Sequence, residues 1–233
     1  MKAAVINFSG NVGKSTVATH LLMPRIKDAE FFAIESINSD EGQDGEKMRG
    51  KHFGQLQEYM MTIDAAVVDI GASNVEEFVK LMQQYRGSHE EFDYFVVPVV
   101  KEGKQQRDTV ATIQALSAMG IPAKKIRVVF NKLEADETIE EAFAPMLAFY
   151  EAEKRFTLKP KAVLHASDIY QGLRALNISV TELLNDPTDY RALLREAKTP
   201  EEKAPHASMI SLKRLATSAQ ENLDEVFTAL FSK

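Results

Sequence analysis

Phe8-Ser9-Gly10-Asn11-Val12-Gly13-Lys14-Ser15-Thr16 follows the apolar run Ala3-Ala4-Val5-Ile6 and opens a segment of helical period. Each residue type in it answers a chemical need. Gly10 and Gly13 let backbone N–H groups curl around phosphates, Lys14 neutralises the outer phosphates, and the Ser15 hydroxyl completes a magnesium shell. Thr16 is set to face the innermost phosphate, and Ser9, Asn11 and Val12 complete the cradle. The alternative is a glycine-rich turn that merely enters a helix, which leaves the lysine and the hydroxyl without a reason. The order of strand, phosphate loop and helix predicts an α/β chain that binds a nucleoside triphosphate with Mg2+.

Outward from the loop, short apolar runs rich in β-branched and aromatic residues alternate with longer segments of helical period. That is the pattern of βα units around a mostly parallel sheet. Strands are expected over 3–8, 30–36, 65–70, 94–100, 126–131 and 161–165. Ala65-Ala66-Val67-Val68, Phe95-Val96-Val97 and Val128-Val129-Phe130 have no polar face, as befits strands covered by helices on both sides. Helices are expected over 14–26, 45–61, 75–86, 104–119, 138–155 and 167–176, with Gly120-Ile121-Pro122 stopping the fourth. The predicted fold class is therefore α/β, a doubly wound, mostly parallel sheet flanked by helices, with C-terminal helices.

Strand signals cease beyond Asn177. The stretch Lys198-Thr199-Pro200-Glu201-Glu202-Lys203-Ala204-Pro205 joins proline to dense charge and reads as a linker or long loop. A last helix over about 209–231 carries Ile210, Leu215, Leu223, Val226, Phe227, Leu230 and Phe231 as an apolar stripe. The expected division is one domain over 1–186 and a helical segment over 187–233, packed on it or used for partner contact.

Composition narrows the classes. With 233 residues, 45% hydrophobic and 27% charged, the chain can bury a sizeable core. Its 28 basic and 34 acidic residues give a net charge of −6, which argues against a surface that grips nucleic acid through overall positive charge. The absence of cysteine excludes disulfides, thiolate metal sites, chain-held iron–sulfur clusters and a thiol nucleophile. The first apolar run is too short for a signal peptide, and no window approaches the roughly 20 apolar residues that span a bilayer. A cytoplasmic location is expected. Glu221, Asp224 and Glu225 on the last helix disfavour attachment to a membrane surface.

Ala65-Ala66-Val67-Val68-Asp69-Ile70-Gly71 is an apolar strand that ends in an acid and small residues. Asp69 suits a Walker B acid that holds magnesium directly or through water, with Gly71 leaving room by the outer phosphate. It equally suits a cap for the helix starting near Asn74.

The common pattern G-x-x-x-x-G-K-[ST] is not met, because its first glycine falls on Phe8. The loop resembles instead the deviant Walker A loop of the ParA/MinD family of ATPases, K-G-G-x-G-K-[ST]. Gly10, Gly13, Lys14 and Ser15 are in matching places, Asn11 replaces the second glycine and Ser9 the signature lysine. The resemblance spans about 1–182 and includes the order of the motifs. It implies a P-loop NTPase fold, ATP/ADP and Mg2+ as cofactors, and ATP hydrolysis that is slow or stimulated by a partner. In the family the signature lysine reaches across a nucleotide-sandwich dimer, so Ser9 marks the chain's main departure.

On the same resemblance the catalytic residues are Lys14, Asp69 and Asp40, and the metal ligands Ser15 and Asp69. The family carries D-x-D-P-Q after its second strand. Here Glu35 falls on the first acid and Ile37 on the second, so Asp40 orients the attacking water only if the loop is offset. Asp40, Glu41 and Asp44 are otherwise solvated loop carboxylates. Phe130-Asn131-Lys132-Leu133-Glu134 looks like the family's base-recognition segment, with Asn131 reading the nucleobase and Lys132 lying over it. Glu134 stands where the N-K-x-D of GTPases has Asp, which favours adenine. Asn131 as a strand-end cap is the alternative. Pro98 matches a proline near the nucleotide and dimer face, or simply ends its strand. His165-Ala166-Ser167-Asp168 looks like the last nucleotide-side loop, with His165 read as structural.

The partners implied are a nucleotide-dependent homodimer, a small DNA-binding adaptor or conjugation protein, and non-specific DNA, with no membrane. Candidate basic patches are Lys101, Lys104 and Arg107, or Arg191, Arg195, Lys213 and Arg214, while Lys124, Lys125 and Arg127 cluster at the opposite end of the sheet. Each also fits an ordinary solvated surface. The short N-terminus and Ser9 look most like plasmid-borne members of the StbB or TraL kind, which implies a nucleotide switch in plasmid partition, stability or conjugative transfer. Two other classes stand beside it. One is an ATP-dependent ligase or kinase of the dethiobiotin-synthetase type, with Arg49, Lys51 and His52 available as substrate anchors. The other is a nucleotide-gated binding module with negligible turnover.

Overall fold

The computed structural model describes residues 1–34 and 45–232, with side chains described outside 45–51. Among these residues six strands form one parallel sheet: β1 (Lys2–Val5), β2 (Glu30–Ile34), β3 (Ala66–Ile70), β4 (Tyr94–Val99), β5 (Ile126–Leu133) and β6 (Val163–His165). Their order across the sheet is β2-β3-β1-β4-β5-β6. The helices are α1 (Lys14–Thr16), α2 (Gly45–Thr62), α3 (Val75–Gln84), α4 (Gly103–Ala118), α5 (Ile139–Ala142), α6 (Ala144–Glu153), α7 (Ile169–Leu176), α8 (Val180–Asn185), α9 (Tyr190–Glu196) and α10 (Pro200–Phe231).

Side chains alternate across a strand, so a strand with no polar residue feeds two cores at once. Ala4, Val68, Phe95 and Val128 face one apolar layer together with Phe53 of α2, Phe78 of α3, Ile113 of α4 and Met146 of α6. Ala3, Val5, Val67, Val96 and Val129 face the other, with Leu21, Leu173 of α7, Leu183 of α8 and Leu223 of α10. Helices on both faces of a parallel sheet are the doubly wound α/β arrangement expected from the unbroken apolar runs.

Several elements differ from expectation in instructive ways. β1 ends at Val5 rather than Phe8, because the chain leaves the sheet to build the loop. β2 is described to Ile34, and the last two residues of its expected span lie outside the described residues. The helix expected over 14–26 begins as α1, loosens to a π turn over Val17–Leu22 and tightens to a 3-10 turn over Met23–Arg25. The helix expected over 138–155 breaks at Phe143. Pro145 lacks the N–H that would continue the ladder, so a new helix starts around it.

The expected linker over 198–205 is incorrect. Those residues enter α10, one helix of 32 residues. Thr199 caps it through Glu202 N–H, Glu202 returns the bond to the cap, and Pro200 occupies the first turn. Pro205 removes one internal donor near the start, and the helix continues past it. Of the predicted stripe, Leu223, Val226 and Leu230 are buried with Ala216 and Ala219, whereas Leu215 is exposed. α8 and α9 escaped the sequence reading, although Ser179 with Glu182 forms a capping box and Asp189 caps α9.

Candidate functional site

β1 hands the chain to α1 on one face, while β3 and β4 hand it to α3 and α4 on the other. The chain therefore diverges at the carboxyl end of β1, where open parallel sheets hold ligands. The glycine-rich loop occupies that point. Gly13 has φ 86°, and a Cβ there would lie 2.2 Å from Asn131 Nδ2, so position 13 accepts only glycine. Asn11 takes φ 60°, a left-handed conformation that asparagine adopts more readily than most residues. That explains how Asn serves where the resembled pattern has glycine.

Lys14 is only 8% exposed. Its Nζ donates to the carbonyls of Ser9 at 2.6 Å and Asn7 at 3.1 Å. Burial lowers the ammonium pKa from 10.5 to about 8, and the nearby Asp69 carboxylate pulls it back upward. Asp69 is buried, in register with Val5 of β1 and Ala33 of β2. The lysine and the acid thus lie close together in a poorly solvated spot, where the carboxylate favours the charged form of the lysine.

The end of β5 grips the loop from the far side. Its pairing with β6 shifts register between Asn131 and Leu133, and Lys132 takes φ 59° at the irregularity. Such bulges re-aim side chains. Asn131 Nδ2 donates to Val12 O at 2.9 Å, its Oδ1 accepts from Lys132 N at 2.9 Å, and Lys132 Nζ donates to Asn11 O at 3.2 Å. Both residues hold the glycine-rich loop, a role beyond the two that the sequence suggested for Asn131.

The resulting cleft has a volume of about 730 Å³, within the usual range for small-ligand sites. Gly10, Asn11, Gly13, Lys14, Ser15 and Thr16 line it, together with Asn131 and Lys132, so these expected residues converge. Gly71, Ala72, Glu134 and residues of the segment from His165 to Arg174 also line it. Ser9 and Val12 are buried behind the loop. His165 is exposed, and its N–H goes to Asn222 Oδ1 of α10 at 3.1 Å. Asp40 lies outside the described residues, as do Glu35, Ile37, Glu41 and Asp44, and the side chains of Arg49 and Lys51. His52 is exposed on α2.

Beside the cleft, burial lowers the His20 pKa to about 4, against the pull of Glu182, and raises that of Tyr170 to about 12, against Arg25. Their rings lie 5.4 Å apart. The basic clusters are partly engaged: Lys101 pairs with Glu137 at 2.6 Å, Lys125 donates to Phe92 O at 2.7 Å, and Arg127 lies 5.1 Å over the Tyr94 ring. Among the described residues there is no group of three or more His, Asp or Glu side chains that could hold a metal, and no helix long and apolar enough to cross a membrane.

The sequence reading missed Asn7, Thr109 and Thr112, which brace the loop from below. Asn7 was the visible signal, a polar residue inside an apolar strand run.

No family model matches the chain, and no curated protein matches it. Among solved structures, the chain is similar to apo McdA of Cyanothece, at 13% identity and a TM-score of 0.54, covering 91% of this chain and 98% of that one. It is likewise similar to a variant of Cyanothece McdA in complex with ATP, at 13% identity and a TM-score of 0.53, covering 92% and 96%. Likeness at this identity is one of fold, over nearly the whole length of both chains.

Proposed function

We propose that this chain is an ATP-binding protein of the ParA/MinD kind, a nucleotide switch with slow or partner-stimulated Mg2+-dependent ATPase activity. The observation that supports it is the convergence of Gly10, Asn11, Gly13, Lys14, Ser15 and Thr16 with the Asn131–Lys132 clamp on one nucleotide-sized cleft, with Asp69 buried close to Lys14 but not lining it. The ATP complex of the similarly folded McdA variant supports the same reading. Ser15 and Asp69 offer the hard oxygen donors that magnesium takes, one at the loop surface and one at a strand end, and they would hold it. Bound there, the ion would supply charge neutralisation at the phosphates. Lys14 would leave its two carbonyls for the outer phosphates. On the family resemblance, Asp40 orients the attacking water and Asn131 selects adenine. The same resemblance suggests an ATP-dependent homodimer, an adaptor or conjugation partner, non-specific DNA, and work in plasmid partition, stability or transfer.

Titration of the full chain with ATP and Mg2+ tests the core of this. Lys14→Ala should abolish binding, and unchanged affinity would remove the loop from the site. A second reading, a nucleotide-gated module with negligible turnover, is favoured by one observation: Ser9, at the signature-lysine position, is buried with its N–H pinned to Asn7 Oδ1. Phosphate release measured with and without DNA separates the two. Robust turnover with a phosphorylated metabolite as product would support the ligase or kinase class instead.

A further inference from the structure

α4 turns polar residues toward the sheet where its helical period calls for apolar ones. Gln106, Thr109 and Thr112 recur at intervals of three and are all buried. Burying such groups is costly unless each is matched. Both threonines are matched through the phosphate loop. Thr109 Oγ1 donates its single proton to Gln105 O at 2.7 Å, so it must accept from Asn7 Nδ2, at 2.7 Å. Thr112 Oγ1 donates to Asp108 O at 2.8 Å and accepts from Phe8 N at 3.0 Å.

Asn7 is the centre of this arrangement and is 0% exposed. Its Nδ2 also donates to Pro98 O at 2.8 Å, and its Oδ1 accepts from Ser9 N at 2.8 Å. A carbonyl and a spent hydroxyl on one side permit only the amide nitrogen there, which aims Oδ1 at the loop. The backbone carbonyl of Asn7 receives Lys14 Nζ at 3.1 Å. The ladder from β1 to β4 ends with Ile6 N on Val96 O, so these side chains take over where the backbone leaves the sheet.

We propose that Asn7, Thr109 and Thr112 are positioning residues for phosphate binding, which fix the entry of the loop onto α4 and thereby aim Lys14 and the loop N–H groups. The proposal rests on the nucleotide reading above. Its consequence is that the register of α4 and the occupancy of the loop are coupled.

The test titrates the full chain with ATP and with inorganic tripolyphosphate, following melting temperature in parallel. Thr109→Val keeps the shape and removes the hydroxyl, and should weaken both ligands about tenfold, the worth of one buried hydrogen bond. Thr109→Ser should restore wild-type affinity. Asn7→Ala should cost more, and adding Thr109→Val to it should weaken binding no further, because the pair acts as a unit. Wild-type binding with Thr109→Val and Thr112→Val both within twofold of it overturns the positioning role. So does a lower melting temperature with full affinity, which marks a purely structural one. A wild-type chain that binds neither ligand overturns the nucleotide reading, and this inference with it.

Discussion

Lys14 lies between two carbonyls and beside a buried carboxylate, and its titration follows from that placement. Its folded pKa of about 8 lies below the ordinary 10.5, so between these values the unfolded chain holds a proton that the folded chain has released. Stability from this group therefore rises as pH climbs from about 8 to 10.5. Phosphate binding needs the charged amine and runs the other way. ATP affinity should be level below pH 8 and fall above it, by up to about tenfold per pH unit. Titrations from pH 7 to 10 check this, and a level profile throughout would contradict the lowered pKa of Lys14. Asn131 supports a second prediction. Its amide holds Val12 O, so Asn131→Ala should weaken inorganic tripolyphosphate as well as ATP. A residue that only read the base would leave tripolyphosphate untouched. That Gly13, Lys14 and Ser15 would line one cleft was legible in the sequence, because a glycine-rich turn between strand and helix is local. Asn7, Thr109 and Thr112 were not, since their bonds join residues about a hundred positions apart.

At the scale of elements, central strands such as β4 were legible because both faces are covered and their apolar runs are unbroken. The start of α10 was misread because proline and charge outweighed a cap. Thr199-Pro200-Glu201-Glu202 is a helix-start signature, and at the first turn proline removes a donor that has no partner anyway. α10 also finishes the sheet. Asn222 Oδ1 accepts from His165 N, and its Nδ2 donates to Val163 O at 2.9 Å, so one side chain imitates the next strand along the edge of β6. Covered edges resist pairing with other chains. Asn222→Ala should leave these two groups unpaired and lower stability by about 1–3 kcal/mol in denaturant unfolding. It should also raise the tendency to associate, read by light scattering. No change in either would mean that water replaces the amide at no cost.

For the whole molecule, the two helical layers bear differently on the site. The layer of α2, α3, α4 and α6 braces the loop through α4, while α10 packs against the turns that follow the loop. Ala216, Ala219, Leu223, Val226 and Leu230 share a core with Val5 of β1, Leu21 and Leu22. Removal of 187–233 uncovers that core, so a chain of 1–186 is expected to be aggregated or loosely packed, with dye-accessible apolar surface and no sharp thermal transition. A cooperative melt from 1–186 would show that the segment is an accessory. By itself the sequence determined the sheet class and the approximate place of most elements, because those rest on local periodicity and on contacts within a few residues. Only the tertiary structure decided that Asn131 and Lys132 clamp the loop and that α4 braces it through buried hydroxyls. Each of these depends on which distant groups are left to satisfy one another once water has been excluded.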